Sequence, residues 1–240
     1  MTPRDRASAQ EASSWGFDRR DHDDGDGRRP VLVWRFPQPL FVVSSAPLGG
    51  GLGQREWAVN AQVSPDYDRD DPERHLTELA ETLDLHGPGV GMLTAVDLRT
   101  VFSEEEAGVR TDVSVGVTHP TWAADAEADV PDDPGAGHHP AGREVHRVGP
   151  GTINVVAFVP ERLSPGALVN AVATVTEAKA QALWESGVPA TGTASDAVCI
   201  GCPFDGPEHP FGGPRSRWGA RLARAVHRAV LSGCASDRRS

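Results

Sequence analysis

The sequence predicts one α+β (or α/β) domain: a mixed, largely antiparallel sheet packed with about three main helices. Three observations lead there. Seven short apolar segments rich in β-branched residues are spread through the chain. Three longer segments carry helix-start and helix-stop residues at their ends. The chain has 240 residues, 38% of them hydrophobic, enough for one sizeable core.

Taken in order, residues 1–29 are dense in mixed charge and glycine ("DRRDHDDGDGRRP") and predict a disordered leader. The domain is expected over 30–234. Strands are predicted at "VLVWRF" (31–36), "LFVVSS" (40–45) and "WAVNAQV" (57–63). Asp71 as N-cap and Pro72 at N1 open a helix over 72–85, which stops before "HGPG". Two strands follow, "VGMLTAV" (90–96) and "VRTDVSVGV" (109–117). The stretch 122–142, rich in Ala, Asp, Pro and Gly, reads as an irregular surface insertion between strands. After "TINVVAFV" (152–159), Ser164 and Pro165 open a long helix that ends at Ser186 before Gly187. "SDAVCIG" (195–201) suits a strand. A last helix, 215–231, places Trp218, Leu222, Ala225, Val226, Ala229 and Val230 on one face, and 235–240 form a disordered tail.

Composition removes several classes. A net charge of −11, from 34 acidic and 23 basic residues, repels phosphate backbones and anionic lipid, so neither nucleic acid nor membrane is an expected partner. No apolar run reaches membrane-spanning length and the first thirty residues lack a secretory core, which makes the cytoplasm the expected compartment. Cys199, Cys202 and Cys234 are too few for a disulfide framework. Cys199 and Cys202 have C-x-x-C spacing, but no second pair accompanies them, so they read as structural thiols and no metal is expected. H-E-x-x-H, G-x-S-x-G, Walker and Rossmann signatures are absent. Asp84-Leu85-His86-Gly87-Pro88-Gly89 matches D-x-H-x-x-G, yet it follows a helix and is set aside as coincidence.

Lys179 is the only lysine in the chain. With Leu168, Val172, Val175 and Ala182 it falls on an inward line at helical spacing. A buried ammonium is costly unless paired, so an anionic or polar partner is expected. Structural snorkelling or ion pairing remains one reading. The other is that the site needs a titratable amine, which guanidinium does not supply. "TGTASDAV" (191–198) offers Thr193, Ser195 and Asp196 around Gly192. This is either a plain turn or a source of hydroxyl, carboxylate and backbone N–H groups for an oxyanion. Asn60 and Asn154 stand on strands, which disfavour asparagine, as ligand-facing amides or structural hydrogen bonds. Gly49, Gly50 and Gly51 form a glycine-rich loop, as ligand cradle or flexible turn. Arg217, Arg221, Arg224 and Arg228 recur at helical spacing as a solvated basic stripe.

The ordered set "SSAPLGGG", "NAQV", "GMLTAVD", "GVTHP", "GTINVV", "TEAKAQAL", "ATGTASDAV" and "FGGPRSRWGARLARAV" resembles the adenosylcobinamide amidohydrolase (CbiZ) family over roughly residues 40–233. The resemblance implies hydrolysis of the amide joining a corrin propionyl side chain to aminopropanol, giving adenosylcobyric acid and 1-aminopropan-2-ol for cobinamide salvage. It implies a corrinoid substrate and no separate cofactor, and leaves a homo-oligomer open. A non-catalytic corrinoid-binding protein and a different hydrolase or transferase are the alternatives. On these motifs, chemical inference places catalysis at Lys179, Asp196, Thr193, Ser195 and Glu177. It places substrate contacts at Gly49, Gly50, Gly51, Asn60, Thr94, Asn154, Gly192 and Arg215.

Overall fold

The computed structural model describes residues 15–125 and 151–237. The strands are β1 (Asp18–Asp23), β2 (Arg28–Ser44), β3 (Gly51–Gln62), β4 (Gly89–Thr94), β5 (Phe102–Glu106), β6 (Val109–Val115), β7 (Ile153–Phe158) and β8 (Ala197–Cys202). The helices are α1 (Pro72–Thr82), α2 (Pro165–Glu185) and α3 (Arg217–Asp237). All strands join one sheet in the order β4-β3-β2-β8-β7-β6-β5, with β1 added beside β2. Only β3–β4 and β7–β8 are parallel. The α+β class read from the sequence therefore holds.

The sequence reading splits β2 into two strands, and the structure shows why they are one. Pro37 and Pro39 interrupt the ladder to β3, whose register shifts between Arg35 and Leu40. Proline has no N–H to donate, so the strand bends there and then resumes. The bend folds the sheet over on itself. Leu32, Trp34, Phe36, Leu40 and Val42 meet Met92, Val156, Phe158 and Cys199 inside the fold. Strands that are not neighbours in the sheet touch across this interior: Trp34 Nε1 donates to Asp112 Oδ2 at 3.0 Å, and Asn60 Nδ2 donates to Ser114 Oγ at 3.1 Å.

Strand alternation sends the other residues outward. Val31, Val33, Trp57, Val59 and Ala61 pack under α1. Val113, Val155, Val198 and Ile200 pack under α2 and α3. Cys199 faces the interior and Cys202 the helices, because three residues along a strand reverse the face. Burial pushes these thiols up to about 12 and about 11, so both remain protonated packing residues.

Cap chemistry accounts for the helix ends. Ser164 Oγ accepts from Ala167 N at 3.1 Å with Pro165 in the first turn, and Gly187 closes α2 at φ +72°. At α1, Pro72 sits as expected but Asp71 does not cap, since its carboxylate is held by Arg69. This helix stops at Thr82, earlier than expected: Asp84 takes φ +55° and Leu85 N–H returns to Ala80 O at 3.0 Å. In α3, Ser216 Oγ accepts from Gly219 N. The helix runs on to Asp237, past the expected end, and Gly233 lets it lie against Val115 where a larger residue would collide.

Two strands escaped the sequence reading because they are charged. Residues 18–23 were expected in the disordered leader, yet they form β1 on the edge of β2. Charged side chains are normal on an edge strand, where one flank stays in water. β5, "FSEEE", is held by α3: Arg228 pairs with Glu104 and Glu106, and Arg224 with Glu106. Arg217 likewise pairs with Glu161, and these three arginines of the stripe stay 40–56% exposed, a solvated face that also carries ion pairs. Residues 235–237, expected in the tail, belong to α3. Most of the predicted insertion, from 126 onward, lies outside the described residues.

Candidate functional site

β7 and β8 are parallel neighbours joined by α2, so the chain runs up β7, returns along α2 and enters β8 beside the start of β7. This brings the second half of α2, the 187–196 turn and the first residues of both strands to one end of the sheet. Asn154 is paired with Ala197 there. Asp196 is the last residue before β8, and Lys179 faces it from α2.

The pair is buried, each side chain being 10% exposed, and Lys179 Nζ donates to Asp196 Oδ2. The expected anionic partner of the lone lysine is therefore Asp196. The carboxylate accepts three further hydrogen bonds. Thr193 N donates to Oδ2 at 3.0 Å, Ile153 N donates to Oδ1 at 2.8 Å, and Thr193 Oγ1 donates to Oδ1. Four donors around one carboxylate leave it no ready lone pair for an incoming water. What it does instead is fix the Thr193 hydroxyl, proton inward and lone pairs outward. A buried ion pair is tolerated where further hydrogen bonds satisfy its groups, and three of them do so for the Asp196 oxygens.

Gly192 makes this geometry possible. A Cβ at residue 192 would run into Asp196 Oδ2 and Lys179 Nζ. Its backbone is held from outside by Thr121, which donates to Gly192 O at 2.8 Å and accepts from Thr191 N at 3.0 Å. Ser195 is exposed and its Oγ lies 2.8 Å from Thr152 Oγ1. A hydroxyl pair thus flanks the locked Thr193.

Asn60, Thr94 and Asn154 converge on this end from the interior, all buried. Asn154 Nδ2 donates to Asn60 Oδ1 and to Leu93 O, each at 3.0 Å, and its Oδ1 accepts from Ala197 N at 3.2 Å. The Asn154 amide is fully committed, so it is a brace across β3, β4, β7 and β8 with no donor free to face an oxyanion. Thr94 Oγ1 accepts from Val96 N at 3.1 Å and likewise serves its own turn.

Other predicted site residues lie elsewhere. Glu177 is on the exposed face of α2, in a groove with Thr174, Gln181, Arg224 and His227. It does not join Lys179, because two residues along a helix turn the side chain well over a quarter of the way round. Thr174, one turn before, is buried and donates to Gly212 O at 2.9 Å. Arg215 is exposed in the turn before α3, next to Pro214, which lines the outer groove of α2 together with Glu177. Gly213 of that turn packs beside Asn170, and at ~1.5 Å per residue Asn170 is roughly 13 Å along α2 from Lys179. Gly49 and Gly50 are glycines because Gly89 O and Ala46 O press on them, and Arg55 clasps Gly49 O at 2.8 Å. Gly51 takes φ +81° at the start of β3. Gly49 and Gly50 are thus fitted against neighbouring backbone, whereas Gly51 is exposed with open space at its α-carbon.

Thr152, Ile153 and Ser114 were missed as site residues. Their signal was present in "GTINVV" and "VSV", but a backbone N–H that serves a distant carboxylate has no residue-type signature. Beside them a cavity of about 250 Å³ opens, lined by Val96, Asp97, Gly116, Thr118 and Asp237 among others. Gly116 N–H donates to Thr152 O at 3.0 Å, so the cavity wall adjoins the strand that holds Asp196. Among the described residues no group of three His, Cys, Asp or Glu side chains is placed to hold a metal ion. Nor is any helix there long and apolar enough to cross a membrane.

Comparison with known proteins bears on this corner of the fold. An adenosylcobinamide amidohydrolase of Methanosarcina mazei is 28% identical over 202 residues, covering 80% of this chain and 90% of that protein. An adenosylcobinamide amidohydrolase of Halobacterium salinarum is 39% identical over 104 residues, 43% of either chain. An uncharacterized protein of Methanocaldococcus jannaschii is 32% identical over 89 residues, 34% of either chain. The adenosylcobinamide amidohydrolase (CbiZ) family model matches residues 17–240, from the start of β1 through the whole Lys179–Asp196 corner, and the chain belongs to that amidohydrolase family.

Proposed function

We propose that the protein hydrolyses adenosylcobinamide at the amide between the corrin propionyl arm and aminopropanol, releasing adenosylcobyric acid and 1-aminopropan-2-ol. The observation that carries the reading is the buried Lys179–Asp196 pair with the Thr193 hydroxyl locked onto it. Amide hydrolysis needs an attacking oxygen, a place for its proton and a proton for the leaving amine. In this reading Thr193 Oγ1 attacks the amide carbon and its proton passes along the existing hydrogen bond to Asp196 Oδ1. That proton goes on to the amine nitrogen as the C–N bond breaks. Water then cleaves the ester left on Thr193, giving the carboxylate and restoring the hydroxyl. Lys179, bonded to Asp196 Oδ2, keeps the carboxylate aimed at Thr193 while Oδ1 takes and gives up the proton, and the Ser195–Thr152 pair holds the substrate amide or the second-step water.

The scheme needs no cofactor, nucleic acid or membrane, since the corrinoid is substrate, and it suits a cytoplasmic salvage enzyme. Mass spectrometry of the protein incubated with adenosylcobinamide tests it. Adenosylcobyric acid forming equally with and without chelator supports the side-chain scheme. Product that disappears with chelator points to a metal and removes Lys179 from the centre. Bound substrate with no product defeats the activity altogether.

A further inference from the structure

We infer that Trp122 is the apolar contact for the substrate macrocycle, a residue that governs how tightly the ring-bearing substrate binds and not how fast its amide breaks. The inference rests on the corrinoid reading above. Trp122 is 45% exposed, a large indole left partly in water. Its backbone is nonetheless pinned on both sides. Thr121 exchanges two hydrogen bonds with Thr191 and Gly192, and Ala123 N donates to Thr191 Oγ1 at 2.9 Å. The residue on the other side of that clamp, Gly192, is the one pressed against Lys179 Nζ and Asp196 Oδ2. An exposed aromatic is therefore presented beside the reacting corner on a fixed strap.

Pinning the backbone that carries an apolar side chain lowers the entropic cost of covering that side chain with a ligand. A broad, partly apolar ring with polar amide arms suits that arrangement: the ring covers the indole while one arm reaches Thr193. Trp184 supplies the comparison. It is 67% exposed, but it follows Lys179 by five positions, which at ~100° per residue puts it about 140° round α2 from the lysine.

The test measures kcat and KM on adenosylcobinamide for the wild-type chain, Trp122→Ala, Trp122→Phe and Trp184→Ala, with thermal melts of each. Trp122→Ala is expected to raise KM about tenfold, ~1.4 kcal/mol, with kcat held within about twofold. Trp122→Phe keeps most of the affinity, and Trp184→Ala matches wild type. An unchanged KM in Trp122→Ala overturns the inference, as does an equal rise in Trp184→Ala. If Trp122→Ala does not fold, Trp122→Gln takes its place under the same criteria. A wild-type chain that yields no product counts against the hydrolytic reading alone. Equilibrium dialysis of adenosylcobinamide with the same proteins then decides the contact: a weaker Kd confined to the Trp122→Ala or Gln variant supports it, and equal Kd values overturn it.

Discussion

Gly192 lies against the Lys179–Asp196 pair so closely that no side chain fits at its α-carbon without displacing both charged groups. The glycine is there for space and not for backbone freedom. Gly192→Ala is therefore expected to push the ammonium and carboxylate apart and loosen Thr193. A loss in kcat/KM of roughly 100-fold, ~2.7 kcal/mol, is expected in steady-state assays of product release. Wild-type activity in this variant would mean that the pair tolerates displacement, which a catalytic pair does not.

Lys179→Met leaves Asp196 buried with three neutral donors and no counter-charge. A single loss of this kind costs about 3–5 kcal/mol. Adding Asp196→Asn removes the orphaned charge while an amide oxygen still accepts from Thr193 or Ile153. Urea unfolding should show the double variant more stable than Lys179→Met alone. Equal or lower stability in the double variant would show that the carboxylate is held by its other donors without help from the lysine.

Asn154→Leu strips partners from Asn60 Oδ1, Leu93 O and Ala197 N in one step. Each buried group left unpaired costs about 1–3 kcal/mol, against a total stability of roughly 5–15 kcal/mol. The variant is expected to express poorly or melt far below wild type. If instead it melts normally and only KM rises, Asn154 faces substrate and the brace assignment is wrong.

Glu177→Gln, on an exposed face away from the pair, is expected to leave kcat within about twofold of wild type, as surface changes usually do. A large fall in kcat would return Glu177 to the reacting groups.

On α1 a buried histidine sets a pH limit. His75 stacks on Tyr67 with the rings 5.5 Å apart, and its Nδ1 lies 3.1 Å from Tyr67 Oη. Burial, with help from the Arg69 and His22 charges, lowers its pKa below the usual 6.5. The unfolded chain then takes up the proton first as pH falls. Stability from this residue is complete above pH 6.5 and declines as pH drops from there toward the depressed folded value. Melting curves across that range should show the decline in wild type and a shallower one in His75→Gln. Identical pH profiles would show that His75 titrates as it does in the unfolded chain.

The parts of the fold that announce themselves are those whose residue types do one job. Ser164-Pro165 and Gly187 mark the ends of α2 because caps and positive φ angles need those residues. β1 and β5 stayed hidden because edge strands carry the charge of loops, and only their long-range pairing partners give them away. At the site, Lys179 and Asp196 were legible together, one by its isolation in an arginine-rich chain and its inward spacing, the other by its place in the following turn. Thr193 came with them. Asn154 drew notice correctly as an odd strand residue, but sequence spacing could not show that its amide is spent on Asn60, Leu93 and Ala197. Arg215 belonged to a motif that the chain places on the outer side of α2, beside the Glu177 groove. A motif's order along the sequence says nothing about which side of a helix it reaches.

The most direct measurement compares wild type with the Lys179→Met, Asp196→Asn double variant in a single-turnover reaction with adenosylcobinamide. Circular dichroism first confirms that both are folded. Wild type is expected to give prompt adenosylcobyric acid and 1-aminopropan-2-ol, and the double variant a rate reduced roughly 10²–10⁴-fold. Comparable rates in the two proteins would contradict it, and would leave the buried pair as a structural pin beneath chemistry performed by other groups.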